Sequence, residues 1–294
     1  MNSNPPIRTA PDSQCLLAEL EWLRTSPDLM LAPQEYRCPE AIKAGTGTIT
    51  KAGNLAALSS YEPRWRLGEH FENIVYFHLK NNEQISDIYR NIQVKEDKRT
   101  VGEMDFLFRF DAQWIHLEVA LKLYLLDGNG QILESYIGTR RDDCLATKWQ
   151  HMLEHQLRLC QRPEAAKQLE KLCVSSQPTP VVWVKGWLFY HPAQNNVTAP
   201  YPVNPEHLRG WWVTWSELAL IASEGERYIL VRKPDWLLPA AYLGNPALTL
   251  AELREQLRDL HRSSLVLAVV RINGEWVERS RGFVVPDHWP AGRR

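Results

Sequence analysis

Residues 179–191 (TPVVWVKGWLFYH) are apolar at nearly every position. A short run of that kind reads as a central β-strand, buried in the way a core strand is. Three more strand-like runs precede it: 85–96 (ISDIYRNIQVKE), 102–110 (GEMDFLFRF) and 114–126 (WIHLEVALKLYLL). The links between them are short, a charged turn at 95–100 and Asp111-Ala112-Gln113, so the three form a meander. In the second run Met104, Phe106, Phe108 and Phe110 alternate with Glu103, Asp105, Leu107 and Arg109, one set to each face.

Two helices frame the meander. Residues 66–82 (RLGEHFENIVYFHLKNN) are amphipathic, with Leu67, Phe71, Ile74 and His78 on one side and Asn81-Asn82 as the stop. Residues 142–160 (DDCLATKWQHMLEHQLRLC) predict a second helix, with Asp142 or Asp143 as its cap. The order from 64 to 191 is helix, three strands, helix, strand, which makes an α/β domain with a mixed sheet. Residues 1–13 are expected to be disordered, and 14–63 to hold a helix ending near Ser26-Pro27 and a long surface connection. The core then spans 64–199. Residues 200–294 form an α/β extension with strands near 211–215 and 228–233, a helix over 249–263, and a hairpin turning at Asn273-Gly274.

The 294 residues suffice for one large domain or two modest ones, and 44% hydrophobic with 23% charged is an ordinary soluble balance. The five Cys are scattered without a C-x-x-C pair, as expected of reduced thiols. The first residues lack the basic start and apolar core of a signal peptide, and no run is long enough to span a membrane; the expectation is a cytoplasmic protein without a membrane partner. A net charge of −1 argues against a general nucleic-acid binder, although a nuclease can gather positive charge locally. The 12 Trp include Trp183, Trp187, Trp211, Trp212 and Trp215, and indoles fill cores more often than they bind bases. No Gly-rich phosphate loop, G-x-S-x-G elbow or Cys–His pair stands out, and no histidine spacing is read as a metal site. Charged stretches at 95–99 and 140–143 read as solvated turns.

The chemistry concentrates on the third strand. Glu118, Ala120 and Lys122 share one face, Val119, Leu121 and Leu123 the other. A carboxylate and an ammonium on an apolar strand need partners or a wet cleft. Asp105 breaks the preceding strand in the same way, and pairing through the Asp111 turn brings it near Glu118. Two such carboxylates repel, which raises their pKa values unless a cation or Lys122 compensates. That is the logic of a magnesium site: oxygen ligands hold a hard ion, which activates water and offsets charge on a phosphate. The plain alternative is a structural salt bridge to Lys122. Glu72 lies at the margin of the first helix's apolar face, either reaching toward a site or simply exposed, and Glu69 lies nearly opposite. Gln156 shares the buried side of the second helix with Trp149, Leu153 and Cys160; it either caps a backbone end or faces the acidic cluster.

Taken in order, these residues resemble the αβββαβ, restriction-endonuclease-like core of PD-(D/E)XK nucleases. Gly68-x-x-x-Glu72, Gly102-Glu103-x-Asp105, Glu118-x-Ala120-x-Lys122, residues 153–157 (LEHQL) and residues 281–286 (RGFVVP) further resemble a bacterial family, domain of unknown function 1853, grouped with that superfamily. The resemblance implies Asp105 and Glu118 as metal ligands, Lys122 as catalytic lysine, Glu72 as accessory carboxylate and Gln156 as a glutamine beside the site. It implies Mg2+, with Mn2+ as the alternative ion, and hydrolysis of phosphodiester bonds in DNA rather than RNA. One departure is plain: the superfamily spaces acid and lysine as Glu-x-Lys, whereas here Ala120 takes that place and the lysine sits roughly 6–7 Å further along the strand. The other readings are a catalytically inactive nuclease-fold protein that binds nucleic acid or assists assembly, and a hydrolase of another phosphate compound.

Overall fold

The computed structural model describes residue 8 and residues 12–45, 64–97 and 99–289. These contain six α-helices and nine strands, and the strands form one mixed sheet. In chain order they are α1 (Asp12–Thr25), α2 (Glu40–Ala44), α3 (Leu67–Lys80), β1 (Ile85–Glu96), β2 (Arg99–Phe110), β3 (Gln113–Leu126), β4 (Tyr136–Gly138), α4 (Leu145–His151), α5 (Pro163–Lys171), β5 (Thr179–Tyr190), β6 (Leu208–Thr214), β7 (Arg227–Val231), α6 (Leu250–Gln256), β8 (Ser264–Ile272) and β9 (Glu275–Val285). The sheet runs β1-β2-β3-β5-β6-β9-β8-β7, with β4 beside β3. Among the described residues no helix is long and apolar enough to cross a membrane.

The apolar run at 179–190 is β5, paired in parallel with β3 on one side and β6 on the other. Its odd residues Val181, Trp183, Trp187 and Phe189 pack with Phe71, Ile74 and Leu20 of the helices on one face. Its even residues Val182, Val184, Leu188 and Tyr190 pack with Tyr124, Trp149 and Met152 on the other. Each such side chain contributes about 1.5–3 kcal/mol by leaving water. The charge in this run, Lys185, is buried and paired with Asp28 at 3.2 Å. Beyond β5, the strands β6, β9, β8 and β7 continue the same sheet.

The meander forms as expected: β1 with β2 and β2 with β3 are antiparallel. The alternation along β2 does not hold throughout. Phe106 and Phe108 lie in the cluster beneath α3, but Met104 packs with Ile92, Val94 and Leu159 in a separate one. The reason is local. The β1–β2 ladder goes from Arg90 opposite Phe106 to Ile92 opposite Met104, and between them Asn91 adopts φ 54°. A left-handed residue in a strand turns the chain, so the hairpin arm presents a different face beyond it.

The helix expected over 142–160 is broken into α4, a π-helical turn (Met152–Gln156) and a 3-10 turn (Leu159–Gln161). Neither aspartate caps it: the cap is Cys144, without a side-chain bond to the helix backbone, and Asp143 accepts instead from the Tyr124 hydroxyl at 3.1 Å. The helix expected over 249–263 is shorter, starting on a Thr249–Glu252 capping box and ending at Gln256. Of the expected disordered start, residues 1–7 and 9–11 lie outside the described residues, while Asp12 already opens α1. Of the expected surface connection, 46–63 lie outside them too. Residues 31–45 are packed: Cys38 and Ile42 are buried, and Arg37 bridges to Val182 of β5.

Candidate functional site

The ladder between β2 and β3 stops at Phe106 opposite Leu117. The next residues on each strand are Asp105 and Glu118, and here the strands part. Their side chains replace the missing backbone pairing: the Val119 N–H donates to Asp105 Oδ2 at 2.9 Å, and the Asp105 N–H to Glu118 Oε1 at 3.3 Å. Each carboxylate therefore satisfies the opposite strand's backbone at the fork.

Glu118 is wholly buried, and both its oxygens are engaged. Oε1 also meets His116 Nε2 at 2.8 Å, and Oε2 accepts from Gln156 Nε2 at 2.7 Å. His116 is two residues back on the same strand face, which is why it can reach. Gln156 ends the π-helical turn, and that turn carries its amide to the carboxylate.

The electrostatics follow from burial. Burial pushes the Asp105 carboxyl well above its usual range, the charge of Glu118 adds to this, and the Val119 N–H opposes it. Burial likewise raises Glu118 to about 8, against the opposing bonds from Asp105 and Gln156. Glu72 of α3, also raised by burial, adds its negative field to both. It does not touch either. Asn91 Nδ2 lies 3.5 Å from Glu72 and 3.2 Å from Glu103, linking those two carboxylates beside the fork.

Lys122 is not brought to the pair. It stands opposite Gly186 in the β3–β5 ladder and makes neither hydrogen bond nor ion pair among the described residues. It lines a small cleft with Met30, Lys148, Trp149 and Met152. Burial lowers its pKa; Asp143 opposes that, Lys148 reinforces it, and Asp105 opposes more weakly. Of the expected residues, Asp105, Glu118 and Gln156 thus converge, Glu72 acts at a distance through its charge, and Lys122 faces elsewhere. The salt bridge from Lys122 to either acid is absent.

Two histidine features escaped the sequence reading. His116 is fully buried in the site, and the His116-x-Glu118 spacing on a strand was its signal. His151 and His155 do stand four residues apart, with ring centroids at 5.1 Å. Among the described residues, however, no group of three or more His, Cys, Asp or Glu is arranged to hold a metal ion.

Residues 18–285 match the model of a family described as a domain of unknown function, DUF1853. The chain belongs to that family. No curated protein and no solved structure matches it. The DUF1853 match encloses every residue of the fork, from Glu72 to Gln156, and the whole sheet.

The fork offers carboxylate oxygens, the donor type a hard cation takes, and three of the four already accept hydrogen bonds or meet His116. Mg2+ typically takes one or two protein carboxylates and completes its shell with water and substrate oxygens. Asp105 and Glu118 would supply those two. His116 and Gln156 hold Glu118 from behind, in the manner of groups that orient metal ligands.

Proposed function

We propose that this DUF1853 chain is a metal-dependent nuclease of the PD-(D/E)XK kind, using Mg2+ to hydrolyse phosphodiester bonds in DNA. The observation that carries the reading is the Asp105–Glu118 pair, a half-buried and a buried carboxylate facing one another across parting strands, with no Lys or Arg paired to either among the described residues. Such a pair is costly alone and favourable around a cation. The order α3, β1, β2, β3, α4, β5 supports it: with the short β4 and α5 as additions between β3 and β5, it follows the αβββαβ order of that superfamily.

When bound, the ion would supply an activated water and offset charge on the phosphate. The chain's own residues do the rest. His116 and Gln156 fix the Glu118 carboxylate, and the Val119 N–H fixes Asp105. Glu72 deepens the negative field that attracts a cation. Lys122 opens into the cleft with Lys148 and Trp149, so the reading gives it no role at the pair.

The test is incubation of purified protein with labelled single- and double-stranded DNA and RNA, with Mg2+ or Mn2+. Cleavage of DNA is expected, abolished by chelation and by Asp105→Asn. Intact substrates together with no divalent-ion binding by calorimetry would overturn the reading. A second reading, a non-catalytic nuclease-fold protein that binds nucleic acid, is favoured by Lys122 facing Lys148 and Asp143 and by the full engagement of Glu118. It requires DNA binding without cleavage, undiminished by Asp105→Asn.

A further inference from the structure

Away from the fork, four loops enclose a pocket of about 650 Å³. They follow β4, β7 and β9 and precede β8. That volume is in the range of small-molecule sites. Ser263 Oγ donates to the Thr139 carbonyl at 2.9 Å, which ties two of the walls together.

The lining is strongly one-sided in charge. Arg140, Arg141, Lys233 and Arg262 contribute to it, and among the described residues no Asp or Glu does. The chain as a whole carries 34 basic and 35 acidic residues, so this is a local concentration and not a general excess. The neighbouring acids are engaged. Asp142 pairs with Arg140 at 2.7 Å, Asp235 with Arg8, and Asp287 accepts from the Ser216 N–H. Burial and the nearby Arg140 charge both push the Lys233 ammonium below its usual range.

Two donors in the wall lack acceptors. Arg141 Nη1 and Trp289 Nε1 are buried, and neither has a hydrogen-bond partner among the described residues. Orphaned buried donors are costly, and both belong to residues that line the pocket. Arg141 is also held at φ 64°, a conformation uncommon for a residue with a side chain. The indoles position the cations: Arg141 lies 5.6 Å from the Trp289 ring centroid and Lys233 4.5 Å from that of Trp236. The stretch 140–143, expected to be a solvated turn, thus gives the pocket two of its cations.

We propose that this pocket is a binding site for a phosphate group. Three guanidinium forks and an ammonium match the several oxygens and charge of a phosphate better than a lone carboxylate. The inference is independent of the carboxylate fork and holds whether or not Asp105 and Glu118 hydrolyse anything. The phosphate has two possible sources, a free nucleotide or the end of a nucleic-acid strand.

The full chain is titrated calorimetrically with inorganic phosphate, a nucleoside monophosphate, and a short single strand with either a 5′-phosphate or a 5′-hydroxyl. At least one phosphate probe is expected to bind, more weakly as salt rises. Binding of the nucleotide assigns the small-molecule source, and preference for the 5′-phosphorylated strand over its hydroxyl counterpart assigns the strand end. Lys233→Gln with Arg262→Gln changes two exposed side chains and is expected to weaken that binding about tenfold or more. Arg140→Gln, also exposed, provides a second variant with the same direction. Asp105→Asn is expected to leave phosphate binding unchanged, which separates this site from the fork. Absence of binding by every probe, or equal affinity in both variants and the parent, overturns the proposal.

Discussion

The Glu118 carboxylate has no water to fall back on, so each of its hydrogen bonds matters. Gln156→Ala leaves Oε2 without its donor, and the expected cost is about 1–3 kcal/mol of stability, measured by urea unfolding. Under the nuclease reading the same change reduces cleavage by roughly 10–100-fold, because an unsupported ligand loses its orientation. A second residue-scale expectation concerns His78, buried in α3 with Nε2 2.7 Å from the Ile42 carbonyl. Burial lowers its pKa to about 4; the bond to Ile42 opposes this, and the charges of Arg24 in α1 and Lys185 in β5 add to the lowering. Above its ordinary value of 6.5 the ring is neutral in both folded and unfolded chains. Between there and pH 4 the unfolded chain takes up a proton that the folded one refuses. Stability therefore falls as pH drops through this window, by up to about 3 kcal/mol, and levels off below it. Unfolding midpoints at pH 7.5, 5.5 and 4.5 test it, since His78→Gln removes this contribution to the slope. The nearness of Asp105 and Glu118 was legible because strand periodicity and the short Asp111 turn bring them together, whereas for Gln156 the pattern left a backbone cap and the acidic cluster both open. The separation of Lys122 from them was not, because a shared face says nothing of which cleft a long side chain enters.

At the scale of elements, the fork depends on two local departures from regular structure. Asn91 is the first: its φ of 54° lets the β1–β2 arm turn away from β3 just where Asp105 begins. Asn91→Gly should be nearly neutral for the backbone, whereas Asn91→Val should cost about 1–2 kcal/mol, because a β-branched residue is disfavoured at positive φ. Urea midpoints of the two variants decide this, and equal midpoints would contradict it. The tight β3–β5 pairing makes a sharper expectation. At Gly186, φ 146°, an added Cβ would lie 1.8 Å from the Lys122 carbonyl oxygen. Backbone cannot yield there cheaply, so Gly186→Ala is expected to destabilise by at least about 2 kcal/mol in the same measurement. The π-helical turn is the second departure. The sequence from 142 to 160 has sound helical spacing, so a continuous helix was the natural expectation. What widens the turn at 152–156 is tertiary, and no local propensity records it. By contrast β1 occupies the residues its pattern marked, since its turn signals are local.

Across the whole molecule one hydrophobic cluster runs from Cys15 in α1 through β3 and β5 to Trp289 after β9. The strands after residue 200 do not simply decorate a finished core. β6 continues the sheet on the open side of β5, and Phe283 of β9 packs against Phe189 with ring centroids 4.8 Å apart. Trp212 donates to the Leu126 carbonyl at 3.0 Å, and the Arg281 guanidinium lies 4.8 Å from the Trp187 ring centroid. Sequence patterns found these strands, but strand order is set by long-range pairing that no periodicity carries, so their place in the sheet was not legible. Ending the chain at residue 199 would leave β5, apolar on both faces, as a sheet edge, with Phe189 stripped of Phe283 and Trp187 of Arg281. Such an edge is a template for association. The truncated chain is therefore expected to aggregate, or to show a broad and early thermal transition, whereas the full chain unfolds in one cooperative step. Size-exclusion chromatography and circular dichroism of both chains test this. A soluble, cooperatively folding fragment would mean that the fork stands on a core of its own, and that the basic pocket is shared between that core and a unit added beside it.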